Sequence, residues 1–554
     1  MIRVAAAQYQ VTNDVQANLL TSIRMIKEAA KCSPDLIVLP EFANHNSWYD
    51  DKAHCYDVSI DIDGDFAQQI AAAAKAANAY IVINSTVKRG NDIATGTSLL
   101  FSPEGELIGE NDKQVLIGHE NDFLEIAQQP GPIVDTKIGK LAMYSCMDGV
   151  INETPRCLSL RGAQILCNSL NSFAIDEGTL HIPVRAAENK VFIVAANKVG
   201  PLIPEAVLEP ISAAINIPAE FLHGAGDSQI VAPDGTVLAI AGKGEEVIWA
   251  DIDPDQAGSK SRPDGTDIYK SRRPELYQSF GENPESQPLP EFAGAIDVKA
   301  ATISTIDLAD AIAQISQLSK EQVKIITLPE LCGIDADTPA IMAKQSEQVV
   351  AQLTTACVPG LYIGTSIVAK LDNEQYQHQG VIISENGIAH RQGQVHFSER
   401  FNWSVLSAEF STFQSAYGVM AVTVEDDAIY PESYRLIAMQ GAEIVLAPLN
   451  CQERWQTITG LIERASENRV NIVAASHKSQ DSLICSLQKD FTIMTPWVER
   501  EFDGLLSQCE VFSSENKVLI AEIHPQAAAN KVVSHRTHLI NNRPWQLMSA
   551  MLTQ

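Results

Sequence analysis

The chain alternates short apolar runs with longer amphipathic stretches. Ile2–Gln8 reads as a strand, and 18–31 has the three- and four-residue apolar spacing of a helix facing a core. Asp35-Leu-Ile-Val-Leu-Pro-Glu41 is a buried-strand run that stops at its proline. A helix is expected over 67–77 and a strand over 80–85. A further strand over 99–101 enters the turn Ser102-Pro-Glu-Gly105. Apolar strands at 140–144, 165–170 and 191–196 flank more helical segments, and such alternation argues for a layered α/β architecture.

The pattern then starts again. A strand at 296–302 opens the second copy, and Lys324-Ile-Ile-Thr-Leu-Pro-Glu330 repeats 35–41 at an offset of 289. Strand 99–101 with its turn returns at 381–387. The stretch 144–156 returns at 423–435, where an offset of 279 pairs Cys146 with Glu425, Glu153 with Glu432 and Arg185 with Arg464. Both copies close alike, with Arg273-Pro274 against Arg543-Pro544. A duplicated domain follows: 1–280 and 295–554, joined by a polar, proline-rich linker at 281–294. The 554 residues suit two cores better than one.

Charge narrows the function. There are 40 basic against 69 acidic side chains, and the net charge of -29 repels phosphate backbones and anionic membranes, so nucleic acid and membrane are not expected partners. No apolar stretch reaches the roughly eighteen residues of a spanning helix, and the amino terminus has no signal-peptide pattern. Ten cysteines without a C-x-x-C pair suggest reduced thiols, so a cytoplasmic location is expected.

Three residues could carry chemistry. Cys146 follows an apolar strand and precedes Asp148-Gly149, a strand-to-loop elbow where a substrate could reach a thiol. A thiol reacts well at neutral pH only beside a base or cation. Glu41, at the end of its strand, is placed to have its proton affinity raised by desolvation and to act as a base. Lys113 could donate to a carbonyl oxygen as charge develops on it. In the second copy only the glutamate, Glu330, survives. The lysine position falls among Gln392, Gly393, Gln394 and Val395, so no cation is expected there.

Leu39-Pro-Glu41-Phe, Lys113, Tyr144-Ser-Cys146-Met-Asp with Glu153 and Arg156, Arg185-Ala-Ala-Glu-Asn-Lys, and Val194-Ala-Ala-Asn197 stand in an order that resembles the nitrilase superfamily of carbon–nitrogen hydrolases. Gly226-Asp-Ser228 and Pro233-Asp-Gly235 extend the resemblance over nearly all of the first copy. It implies a four-layer αββα sandwich, duplicated in tandem, and a cofactor-free hydrolase. Glu41 would take the thiol proton, Cys146 would form a thioester, and Lys113 with the N–H after Cys146 would hold the oxyanion. A second glutamate of the family maps to Glu120 or Glu125, with Glu120 favoured; His119 reads as a loop or substrate-shaping residue. Trp48, Tyr49, Asn171, Phe173 and Met147 would wall the pocket.

Asp148, where nitrile hydrolases carry Trp-Glu after the cysteine, favours a small-molecule amide as substrate. An N-carbamoyl compound, a nitrile, or a non-catalytic binding role are the alternatives. The second copy is expected to be a pseudoenzyme. Because relatives pair their sandwiches, the halves are expected to form a pseudo-dimer within one chain, with further homo-oligomers open.

Overall fold

The structure, a computed structural model, describes every residue except Phe292, which falls in the expected linker. It contains four six-stranded sheets, two in each repeat. In the first repeat one sheet runs, edge to edge, Glu246–Ile252, Ile2–Gln8, Leu36–Val38, Tyr80–Lys88, Ala94–Phe101 and Leu107–Asp112. The other runs Val237–Ile240, Gln229–Val231, Phe192–Ala196, Ile165–Ser169, Gly139–Ser145 and Val134–Thr136.

The layering follows from period-two alternation in strands that are apolar on both faces. Val4, Ala6, Leu36, Val38 and Val82 point into a core shared with Leu141, Met143, Ile165, Cys167 and Val194 of the second sheet. Their neighbours Ala5, Ala7, Ile37, Leu39 and Ile81 point the other way, onto helices Val15–Ala29 and Asp65–Ala77. The outer face of the second sheet packs Leu166, Ile193 and Ala195 against Leu158, Ile182 and Ala186 of two further helices. These are the four layers αββα.

Helix Val15–Ala29 begins three residues before the stretch expected for it, because Asp14 accepts the N–H of Ala17 and so caps it. Its stripe of Leu19, Ser22, Met25, Ile26 and Ala29 is the buried face.

The second repeat is built alike. Val298, Ala300, Ile325 and Ile382 meet Met420, Val422, Ile444 and Leu446 of the facing sheet. Ala301, Ile303, Ile326 and Ile363 pack on helices Leu308–Lys320 and Pro339–Ala356. Within 281–294 the structure has a 3₁₀ turn, Pro284–Ser286, capped by Asn283.

The compact units in space are not the linear repeats. Unit 1 comprises residues 1–260, 490–507 and 532–553, and unit 2 comprises 261–489, 508–531 and 554. The closing segment of each repeat thus belongs to the unit built by the other. Among the described residues no helix is long and apolar enough to cross a membrane.

Candidate active site

In unit 1 three strand ends converge. Pro40 ends the run at Leu36–Val38, and the Glu41 N–H donates to Leu170 O (3.1 Å) across the sheets. Ser169 Oγ donates to Leu39 O (2.8 Å), and the Cys146 N–H donates to Ser169 O (3.1 Å). The backbones of Glu41 and Cys146 are therefore tied through one pair of residues, Ser169 and Leu170.

Cys146 has φ +46° and ψ -110° between strand Gly139–Ser145 and a helical turn, Met147–Val150. A non-glycine residue in that region costs about 1–3 kcal/mol, held here by the surrounding hydrogen bonds. The elbow leads into a helical turn and not the loop expected, because the Gly149 N–H closes onto Cys146 O (2.8 Å). Asp148 does the fastening. Its carboxylate accepts from the N–H groups of Ser145 (3.3 Å), Gln114 (3.0 Å) and Val115 (2.8 Å), which locks the Lys113 segment onto the nucleophile turn. Burial pushes Asp148 up to about 7, against the pull of Lys113 and those N–H groups.

Lys113 is fully buried. Its Nζ donates to Glu41 Oε1 (2.8 Å) and to Glu120 (2.9 Å), and the other Glu120 oxygen accepts the Ile117 N–H (3.0 Å). Burial alone would strip its proton, but Glu120 and Glu41 hold it well above the ordinary lysine value. Burial raises the Glu41 carboxyl despite Lys113, and Glu41 Oε2 has no hydrogen-bond partner among the described residues. Cys146 is pushed well up by burial and then by Glu41, with Lys113 opposing. A buried thiol, a carboxylate of raised proton affinity and a fixed ammonium share one site. That set suits proton transfer from sulfur to Glu41 coupled to attack on a polarised carbon.

The two acidic candidates separate cleanly. Glu120 starts the turn Glu120–Phe123 and reaches Lys113, whereas Glu125 is exposed and faces Lys52 at 3.9 Å. His119 is exposed and pairs with Asp122 (3.1 Å), outside the triad. Tyr49 is buried among His45, His54 and Phe123 and lies close enough to feel Glu120. Trp48 is half-buried. Met147 is buried beside Val115 and Val150, and Phe173 packs on Phe502 at 5.8 Å. Asn171 Oδ1 is buried and unpartnered.

Several functional residues escape sequence reasoning. Lys198 Nζ is buried, has no hydrogen-bond partner among the described residues, and lies 6.0 Å from the Phe42 ring, whose centre is 5.4 Å from Lys113 Nζ. Burial pulls Lys198 down to about 7, with Glu41 and Cys146 opposing. Two lysine side chains thus border one ring near Cys146. From the chain's far end, Val533 joins Val115 and Met147, and Thr537 Oγ1 donates to Leu116 O (3.1 Å) while accepting the Gly118 N–H (3.2 Å). Leu506 and Ser507 donate N–H groups to Asp176 (2.9 and 2.8 Å).

A family model described as carbon-nitrogen hydrolase matches residues 3–262 and again 300–499. The chain belongs to the carbon-nitrogen hydrolase family. The chain is similar to a nitrilase of Pyrococcus abyssi, 28% identical over 281 residues, covering 50% of this chain and 99% of the relative. It is also similar to an omega-amidase of Saccharomyces cerevisiae, 27% identical over 297 residues, covering 50% of this chain and 94% of the relative. Among solved structures, the Caenorhabditis elegans NitFhit protein aligns at 21% identity and TM-score 0.42, over 50% of this chain and 65% of that one. A nitrilase-superfamily amidase from Nesterenkonia aligns at 21% identity and TM-score 0.42, over 50% and 97%.

The second carbon-nitrogen hydrolase repeat keeps the scaffold of the site and replaces its groups. The Val395 and His396 N–H groups bind Asp427 as those of Gln114 and Val115 bind Asp148. Gln394 therefore stands where Lys113 stands. Glu425 takes the place of Cys146, and Phe401 that of Glu120. A cation is nonetheless present, contrary to the sequence expectation. Arg400, six residues on from Gln394, pairs with Glu330 and with Asp426 (3.4 Å). A second, Arg262, pairs with Asp426 (2.7 Å) and Glu425 (3.3 Å), and Gln456 Nε2 donates to Glu425 Oε1 (2.9 Å). The Cys451 thiol sits against Glu453 O (3.3 Å).

Proposed function

We propose that unit 1 hydrolyses a small-molecule amide through a thioester on Cys146. Glu41 Oε2 takes the thiol proton as sulfur attacks the carbonyl carbon. Lys113 Nζ and the Met147 N–H, the first donor of its helical turn, stabilise the oxyanion. Glu41 returns the proton to the departing amine, and water, activated by the same carboxylate, cleaves the thioester. Glu120 keeps Lys113 charged and aimed. The observation that carries this reading is the buried lysine bonded to both Glu41 and Glu120 within electrostatic reach of Cys146.

Lys198 refines the substrate. A buried ammonium without a partner is costly, and an anionic group on the substrate would complete it. Amides carrying a carboxylate are accordingly favoured over neutral ones. The second repeat, with Glu425 for the thiol and Gln394 for the lysine, takes no part in the chemistry.

The test is ammonia release from amides, N-carbamoyl compounds and nitriles by wild type, Cys146→Ala and Glu425→Ala. Loss with the first and retention with the second supports the reading. Turnover that survives Cys146→Ala overturns it.

A further inference from the structure

The altered site of unit 2 has lost an ammonium and gained donors. The Lys113 N–H donates to Gly96 O (2.8 Å), and the Gln394 N–H donates to His378 O (2.9 Å), so His378 occupies the place of Gly96. A Cβ on Gly96 would come within 3.0 Å of the Phe42 ring. In unit 2 the equivalent of Phe42 is Leu331, and the imidazole packs on Phe401 with ring centres 4.3 Å apart. Asp426 likewise replaces Met147. An imidazole, a second carboxylate and an amide thus stand around the retained Glu330, where the first repeat has a glycine, a methionine and a lysine.

Each donor has one atom held and another left over. Glu330 Oε2 is bound by Arg400, and Glu330 Oε1 is buried without a partner. His378 Nε2 is bonded to Ser366 Oγ (3.0 Å), and its buried Nδ1 has no well-formed hydrogen bond among the described residues, although the imidazole lies beside the Gln394 side chain. Asp426 Oδ1 is held by Arg262 (2.7 Å), while Oδ2 has only the long contact to Arg400 (3.4 Å). Ligating atoms of Glu330, His378 and Asp426 all lie within 4.8 Å of one another, and all three residues are buried. Gln394 Oε1 is a further buried acceptor, next to His378 and with no well-formed hydrogen bond among the described residues. A metal's ligands are typically oriented in this way, the far atom of each held by a neighbour.

Charge agrees with geometry. Glu330, Glu425 and Asp426 are buried against two guanidinium groups, Arg262 and Arg400, and the partly exposed Glu453 also leans on Arg262 (3.4 Å). Negative charge is in excess, and burying it unpaired is expensive.

We propose that Glu330, His378 and Asp426 bind one divalent first-row cation in unit 2, with Gln394 Oε1 as a fourth ligand. Carboxylate and amide oxygens with a single imidazole suit Mn²⁺ better than a thiol-seeking metal. The tautomer of His378 that donates Nε2–H to Ser366 presents Nδ1 to the ion. The site would be structural, since Glu425 and Gln394 stand where the first repeat has its thiol and its lysine.

The test is titration of the full-length, chelator-treated protein with Mn²⁺, reading free Mn²⁺ by electron paramagnetic resonance. One saturable Mn²⁺ per chain is expected, with affinity at least tenfold lower in both Glu330→Gln and His378→Gln. His524→Gln serves as control, because Asp297, Glu522 and His524 form an exposed trio of similar make-up. Melting curves of each variant show whether it is folded, and the isosteric Glu330→Gln suffices if His378→Gln is not. No saturable binding, unchanged affinity in a folded Glu330→Gln protein, or loss in His524→Gln would overturn the proposal. The readout is binding alone, so it stands or falls apart from the activity of Cys146.

Discussion

Lys113 and Gln394 occupy one place in two copies of one site, each with its N–H on the corresponding strand, at 2.8 Å to Gly96 O and 2.9 Å to His378 O. From that place Lys113 reaches Glu41 and Glu120, whereas Gln394 Nε2 turns to His396 O (2.8 Å). The backbone has been conserved through duplication while its side-chain charge has not.

The first prediction concerns Glu41. Replacing it with Gln keeps the shape and a hydrogen bond to Lys113 but removes the acceptor for the thiol proton. A fall in kcat of about 10²–10⁴-fold is expected, the usual range for general acid–base catalysis. Steady-state ammonia release would measure it. Retention of wild-type kcat would remove Glu41 as the base.

Lys198 makes two linked predictions. Lys198→Met should lower kcat/KM at least tenfold on amides that carry a carboxylate, mainly through KM, and spare neutral amides. Its second effect is on stability. Burial lowers the folded-state value from 10.5 to about 7, so the unfolded chain binds the proton more readily between those limits. Wild-type stability therefore rises with pH across that window, by up to roughly 1.4 kcal/mol per unit. Below about 7 the penalty is fully present, and there Lys198→Met should melt above wild type, an advantage that fades toward pH 10. Melting temperatures from pH 6 to 10 would show the convergence, and a constant offset would contradict it.

Residues 532–553 belong to unit 1, with the first repeat. Removing 532–553 takes away Val533 over Met147 and Thr537 between Leu116 and Gly118. Activity should be lost although every proposed catalytic residue remains. Thr537→Val isolates the hydrogen bonds and should cost about 1–3 kcal/mol, seen as a lower melting temperature and reduced kcat. A fully active fragment of residues 1–280 would refute this dependence.

What could be read beforehand had local signatures. Glu41 after Leu-Pro, Cys146 at a strand end and the recurrence at a fixed offset are short-range patterns, and period-two strands predict buried sheets. Glu120 and Glu125 could be ranked but not separated, because five residues along one turn decide which of them meets Lys113. Lys198 gave no signal: a lysine after an apolar strand reads as a solvated strand end until the opposite wall is known. Arg400 and Arg262 were invisible for a related reason. They replace the missing lysine in charge without aligning with it. Arg262 arrives on a closing segment, as Val533 does in unit 1, and contacts spanning some 160 or 420 residues, such as Arg262–Glu425 and Thr537–Leu116, leave no periodicity.

The final prediction follows from how much of the second site has changed. Restoring the two lost groups with Gln394→Lys and Glu425→Cys, in a Cys146→Ala background, should yield no ammonia release. A lysine at 394 would find Glu330 already bound by Arg400 and would have Phe401, not a carboxylate, at the position of Glu120. It would also meet His378, where Lys113 has only Gly96 beside it. A thiol at 425 would face the Arg262 guanidinium and would be followed by Asp426, where Cys146 is followed by the apolar Met147. With Arg400 and Arg262 already paired to Glu330 and Asp426, a third cation would lose its proton to burial and to like charge and could not steady an oxyanion. Turnover by the double restoration would mean that nucleophile, base and ammonium suffice, and that the positioning role given to Glu120 is wrong.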